Sequence, residues 1–114
     1  MVEAPHATSS AGNIILGINP VIEDYVVLGE RTGRAIASWQ LLIGDNAIIR
    51  SGTVIYLGTR IGNDLHTGHN VVIREENVIG DNLQIWSNSV IDYGCRIGNR
   101  VKIHCNCYVA QFTT

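Results

Sequence analysis

The chain has 114 residues, 16% charged and 46% hydrophobic, with a formal net charge of −2. That length holds one domain, and its eight Lys and Arg are scattered rather than gathered into a stripe, which argues against a nucleic-acid partner. No apolar run is long enough to span a bilayer, and Met1-Val2-Glu3-Ala4-Pro5 lacks the charged-then-apolar layout of a secretion signal, so a cytoplasmic protein with no membrane partner is expected.

In chain order, residues 1–12 are small and polar and read as loose. Two aliphatic runs follow, Ile14-Ile15-Leu16 and Val21 to Leu28, around the breakers Gly17 and Pro20. Ile22 and Leu28 are six residues apart, but Leu28 and Ile43 are fifteen apart, so a six-residue register breaks once between them. Residues 1–42 therefore read as an irregular N-terminal segment with a partial coil and an inserted excursion, Glu30 to Gln40. The excursion is either a surface loop or a place where Arg31 and Arg34 reach a phosphate or carboxylate on a ligand, groups that guanidinium matches bidentately.

From Ile43 one pattern repeats every six residues: Ile43, Ile49, Ile55, Ile61, Thr67, Ile73, Ile79, Ile85, Ile91, Ile97, Ile103 and Val109. Ten of the sixteen isoleucines share this phase, which scatter would not produce. Every third hexad opens alike (Ile43-Gly44-Asp45-Asn46, Ile61-Gly62-Asn63-Asp64, Ile79-Gly80-Asp81-Asn82, Ile97-Gly98-Asn99-Arg100), so three hexads make one eighteen-residue coil. A helix cannot use this period, because positions six apart drift around a 3.6-residue turn. A short strand plus a corner can. Nine of the twelve fourth positions are Gly, Asn or Asp, the types that tolerate a left-handed corner; Glu76, Arg100 and Phe112 are the others. Fifth positions are mostly small or branched, which suits an inward site; Leu65 and Leu83 fill it more, and Asn77 breaks the pattern. Burial of each in-phase isoleucine contributes about 1.5–3 kcal/mol before ordering entropy, so the ladder is structural. Cys95 and Cys107 sit at inward positions and read as packed, reduced thiols.

This pattern resembles the hexapeptide-repeat family of the left-handed parallel β-helix. The resemblance covers residues 43–114 and implies an all-β fold of about four coils. A solenoid with no polar cap after Thr114 reads as truncated at its C-terminus, or as joined end to end.

The segment Gly68-His69-Asn70-Val71-Val72-Ile73 follows the one polar in-phase residue, Thr67. It looks like the Gly/Ala-His-Asn/Asp segment of hexapeptide acyltransferases, including those that acetylate nucleotide-linked amino sugars. The resemblance implies that His69 is the general base, that acetyl-CoA is the co-substrate, that a sugar or nucleotide-sugar is the acceptor, and that the protein is a homotrimer. Imidazole suits the role, with a reference pKa of about 6.5. His69 falls at a corner and points outward, with Ser51 and Ser87 one coil to either side and Cys105 beyond, and with no carboxylate in that column. Asn70, Trp86 and Arg74 are the substrate-binding candidates; Trp86, Tyr93, Tyr108 and Arg74 lie at or near outward positions, which mark a subunit face or a ligand wall.

Two alternatives stand beside this reading. One is a non-catalytic trimeric scaffold or fragment. The other is a zinc site of His66, His69 and His104, as in hexapeptide-repeat carbonic anhydrases, although those enzymes space their ligands differently.

Overall fold

The computed structural model describes residues 13–114; residues 1–12, expected to be loose, lie outside the described residues. Fifteen short strands wind into five coils of three. The first coil holds β1 (Ile14–Leu16), β2 (Val21–Ile22) and β3 (Val27–Glu30); the second holds β4 (Leu41–Ile43), β5 (Ile48–Ile49) and β6 (Val54–Tyr56). The third holds β7 (Arg60–Ile61), β8 (His66–Thr67) and β9 (Val72–Ile73); the fourth holds β10 (Val78–Ile79), β11 (Gln84–Ile85) and β12 (Val90–Ile91). The fifth holds β13 (Arg96–Ile97), β14 (Lys102–Ile103) and β15 (Tyr108–Val109).

Each strand pairs in parallel with its counterpart one coil away, giving three five-stranded sheets: β1-β4-β7-β10-β13, β2-β5-β8-β11-β14 and β3-β6-β9-β12-β15. The chain is a left-handed parallel β-helix, as the hexads imply. The N-terminal aliphatic runs complete a coil of their own: Ile14 pairs with Leu41, Val21 with Ile48 and Val27 with Val54. Contacts between the first and second coils join residues 27 apart, whereas Asp45 and Asn63, on the second and third, are 18 apart. The excursion between β3 and β4 therefore inserts nine residues, which accounts for the single register break.

The in-phase aliphatics fill the prism. Ile49, Ile55, Ile73, Ile85 and Ile91 are fully buried, and Ile97, Ile103 and Val109 pack against this core more openly. The fifth positions behave as expected of a second inward site: Ala47, Thr53, Thr59, Leu65, Val71, Leu83, Ser89 and Cys95 are buried. Asn77, the exception in the pattern, is also buried, and its amide is satisfied. It donates to the Arg74 carbonyl at 2.8 Å and accepts the Cys95 N–H at 2.8 Å. Cys95, Cys105 and Cys107 are free thiols, buried, exposed and half-buried respectively.

All twelve fourth positions adopt positive φ, including Glu76 (61°), Arg100 (58°) and Phe112 (62°). Composition identified the nine favourable residue types; the other three are held by pairing. The N–H groups of Glu76, Arg100 and Phe112 donate to Gly58, Asp81 and Tyr93 carbonyls one coil earlier, which offsets the cost of a left-handed non-glycine residue.

The Ile-Gly-Asp/Asn repeat has a steric origin. At the corner between the first and second sheets, the side-chain oxygens of Asp45, Asn63, Asp81 and Asn99 accept the N–H groups of Ile18, Asp45, Asn63 and Asp81, at 2.8–2.9 Å. These oxygens lie over the preceding coil's glycine. A Cβ on Gly62 would stand 2.2 Å from Asp81 Oδ1 and 2.9 Å from the Gly80 backbone, whereas one on Gly98 meets nothing within 4 Å. Gly62→Ala is therefore expected to lower unfolding free energy by about 1–3 kcal/mol, and Gly98→Ala by far less, as read by chemical denaturation. Equal losses would show that the ladder does not dictate the glycine.

Candidate active site

His69 lies on the corner between β8 and β9, its side chain 53% exposed. The corner is braced from inside the prism by hydroxyls. Thr67 is fully buried, and its Oγ1 accepts the Arg50 N–H at 3.0 Å; Thr53 Oγ1 donates to the Gly68 carbonyl at 3.1 Å and accepts the Val71 N–H at 3.3 Å. The two hydroxyl oxygens are 3.4 Å apart. Because Thr53 donates to Gly68, the hydroxyl proton of Thr67 is the one that bridges the pair. Thr53, bonded to the polar interruption in the isoleucine phase, thus anchors both ends of the turn that carries His69.

Outside the prism, the ring and backbone of His69 are held by the serines expected in its column. Nδ1 lies 2.9 Å from Ser51 Oγ, and the His69 N–H donates to Ser87 Oγ at 2.9 Å. A carboxylate is also present, which the column did not predict. Glu23, from the first coil, accepts the Ser51 N–H on Oε1 at 2.9 Å and pairs through Oε2 with Arg50 at 3.0 Å. Its Oε1 stands 4.0 Å from His69 Nδ1. The Ser51 N–H is the main cause holding the Glu23 carboxyl below its usual range; burial opposes this, and Arg50 and His69 assist. The missed signal was the break itself. Sliding the first coil by 27 residues places Glu23 opposite Arg50, a complementary pair.

Asn70 occupies the left-handed position (φ 56°) and packs over Gly52, where a Cβ would fall 2.0 Å from its Oδ1. Trp86 meets His66 edge to face, ring centres 4.9 Å apart. Burial, with Arg50 adding, lowers the His66 pKa below its ordinary value, which favours the neutral form of this second imidazole. His66 also lines an open groove of about 340 Å³ along the outer face of the second sheet, beside Asn46, Asp64, Asn82 and Gln84. Two sequence candidates are not brought to this place. Arg74 lies beyond β9 from His69, bonded to Glu75 and stacked 4.7 Å over Tyr56. His104 is exposed, and among the described residues no three His, Cys, Asp or Glu side chains converge to hold a metal ion.

Residues 78–111 match the family model described as bacterial transferase hexapeptide (six repeats). The matched stretch runs from the start of β10 to just past β15, and the same phase continues back to Ile43. Over that stretch the chain is similar to the hexapeptide-repeat family. No curated protein and no solved structure matched it. No helix in the described residues is long and apolar enough to cross a membrane.

The excursion is tied to the column by one buried acid. The Glu75 side chain is fully buried; it accepts from Thr32 Oγ1 at 2.7 Å, Arg34 Nε at 2.8 Å and Arg74 Nε at 3.0 Å. Arg34 also reaches Glu76 at 3.0 Å and lies 3.7 Å over the Tyr93 ring, while Arg31 stacks on Trp39 at 5.3 Å. The carboxylates that Arg34 meets are therefore this chain's own, not a ligand's. Burial alone would push the Glu75 carboxyl up; hydrogen bonds from Thr32, its own N–H, Arg34 and Arg74 prevail and hold it at about 2. A depressed folded pKa stabilises fully above the unfolded value of about 4.3 and is lost as pH falls toward 2. The thermal midpoint is expected to drop across that window. Glu75→Gln should lower stability at pH 7 by about 2–3 kcal/mol and flatten the drop; an unchanged acid profile would show that Glu75 does not carry it.

Proposed function

We propose that this hexapeptide-repeat protein is an acyltransferase that moves an acetyl group from acetyl-CoA to an amino or hydroxyl group of a sugar or nucleotide-sugar, acting as a cytoplasmic homotrimer. The observation that carries the reading is His69: an exposed imidazole on a braced corner, with a serine on Nδ1 and a carboxylate behind it. The family includes acyltransferases, and acyl transfer requires a base of this kind.

In this mechanism His69 Nε2 takes the proton of the acceptor amine or hydroxyl as that atom attacks the thioester carbonyl. The tetrahedral intermediate collapses with cleavage of the carbon–sulfur bond, and the imidazolium returns the proton to the departing CoA thiolate. The groove beside His66 suits a hydroxyl-rich acceptor, because amides and a carboxylate from successive coils line it, and Trp86 packs edge to face with the His66 ring at its side. Asn70, beside His69 on the same corner, is assigned to binding the acceptor, as are Trp86 and, more remotely, Arg74.

His69→Ala is expected to reduce turnover by about 10²- to 10⁴-fold without moving the thermal midpoint, as followed by thiol release from acetyl-CoA over a panel of amino sugars and nucleotide-sugars. Full activity in that variant would remove His69 as the base. Sedimentation velocity is expected to give a three-chain particle; a monomer would overturn the assembly.

A further inference from the structure

A neutral imidazole can act as a base only at the nitrogen that lacks the proton, so the tautomer decides whether His69 is competent. Nδ1 faces the protein, 2.9 Å from Ser51 Oγ, and Nε2 is the ring's other nitrogen. Free histidine favours the proton on Nε2, which would leave the base lone pair on Nδ1, turned toward Ser51. Ser51 alone does not correct this, because a hydroxyl donates or accepts with equal ease.

We infer that Glu23 is a positioning residue that selects the Nδ1–H tautomer of His69 and so leaves the lone pair on Nε2, the nitrogen assigned to the acceptor proton. This rests on the acyl-transfer reading for its catalytic meaning. The geometry supports it in three ways. Glu23 Oε1 lies 4.0 Å from Nδ1, where negative charge repels a lone pair and attracts an N–H. The carboxylate is fixed from two sides, Oε1 by the Ser51 N–H and Oε2 by Arg50, so the cation is bonded to the other oxygen and does not lie between Oε1 and the ring. With Nδ1 protonated, Ser51 Oγ becomes the acceptor, and the serine is held in place through its own N–H on Glu23. The second nitrogen of a functional histidine is commonly set by such a partner.

The test reads the tautomer directly, by long-range proton–nitrogen correlation spectra of the intact chain at pH about 8.5, two units above the reference imidazole pKa. The His69 signals are identified by their loss in His69→Ala. The wild-type ring is expected mainly as Nδ1–H. In Glu23→Gln, which keeps an acceptor for Ser51 but removes the charge, the ratio is expected to move toward Nε2–H by roughly threefold, the size of an exposed charge interaction. Ser51→Ala, which removes the hydroxyl partner, is expected to move it the same way. In Glu23→Gln, kcat should fall with KM unchanged.

A wild-type ring found mainly as Nε2–H, or a ratio unchanged in Glu23→Gln, overturns the inference whatever turnover does. A shifted ratio with no loss of turnover in His69→Ala supports the tautomer role and removes His69 as the base instead.

Discussion

The cross-coil register governs everything else in this chain. Backbone N–H groups of one coil donate to carbonyls of the next, as from Val54 to Val71, Val72 to Ser89 and Val90 to Cys107. From the second coil onward each side chain therefore stacks on the residue eighteen positions away, and any type placed in a column must tolerate its neighbours. Aliphatics do so by close packing. Charges do not, and the corner columns avoid stacking them: Asp45, Asn63, Asp81 and Asn99 alternate acid with amide, and Asn46, Asp64 and Asn82 alternate in the opposite sense. No carboxylate in these columns lies directly over another, which would be destabilising at this spacing. The amides keep the hydrogen-bond ladder intact where a second acid would add repulsion.

A periodic column has no natural place for a residue used once. The nine-residue insertion after β3 supplies two. It releases a strap whose Thr32 and Arg34 return to the buried Glu75, and it offsets the first coil so that Glu23 stands opposite Arg50 and also takes the Ser51 N–H. Both acids are tied by residues far away in sequence, at separations of 43 for Thr32–Glu75 and 28 for Glu23–Ser51. The strap is thus fastened by bonds that are absent from every other corner.

What the sequence revealed follows from this division. The coils after Ile43, their inward positions and the outward aim of His69 could be read because each recurs with the hexad. The first coil was visible only in part, since the break hides its pairing until a 27-residue offset is tried. Left-handed φ at Glu76, Arg100 and Phe112 is imposed by the neighbouring coil and has no local signature. The same holds for Glu75: its side chain reads as one more surface acid, yet the strap closes over it completely. Arg34 reads either as part of a surface loop or as a contact for a ligand's phosphate or carboxylate; its bonds to Glu75 and Glu76 depend on how the excursion folds back, which has no local signature.

The placement of His69 shows how a rigid repeat can carry a precise side chain. A corner gives exposure, but corners of a β-helix are also where regular pairing is interrupted, so the turn needs bonds from elsewhere. In this chain the core gives up one aliphatic position to provide them. Thr67 in place of isoleucine forgoes part of the apolar burial, and in return its hydroxyl holds the Arg50 N–H and bonds to Thr53, whose own hydroxyl holds Gly68 and Val71 from within. Ser51 and Ser87 hold the ring and the His69 N–H from without. Fixing a functional side chain through its supporting residues is what separates a competent geometry from a merely exposed one. The buried hydroxyl pair lies beneath the corner that carries this histidine, and the only polar residue in the isoleucine phase lies two positions before it.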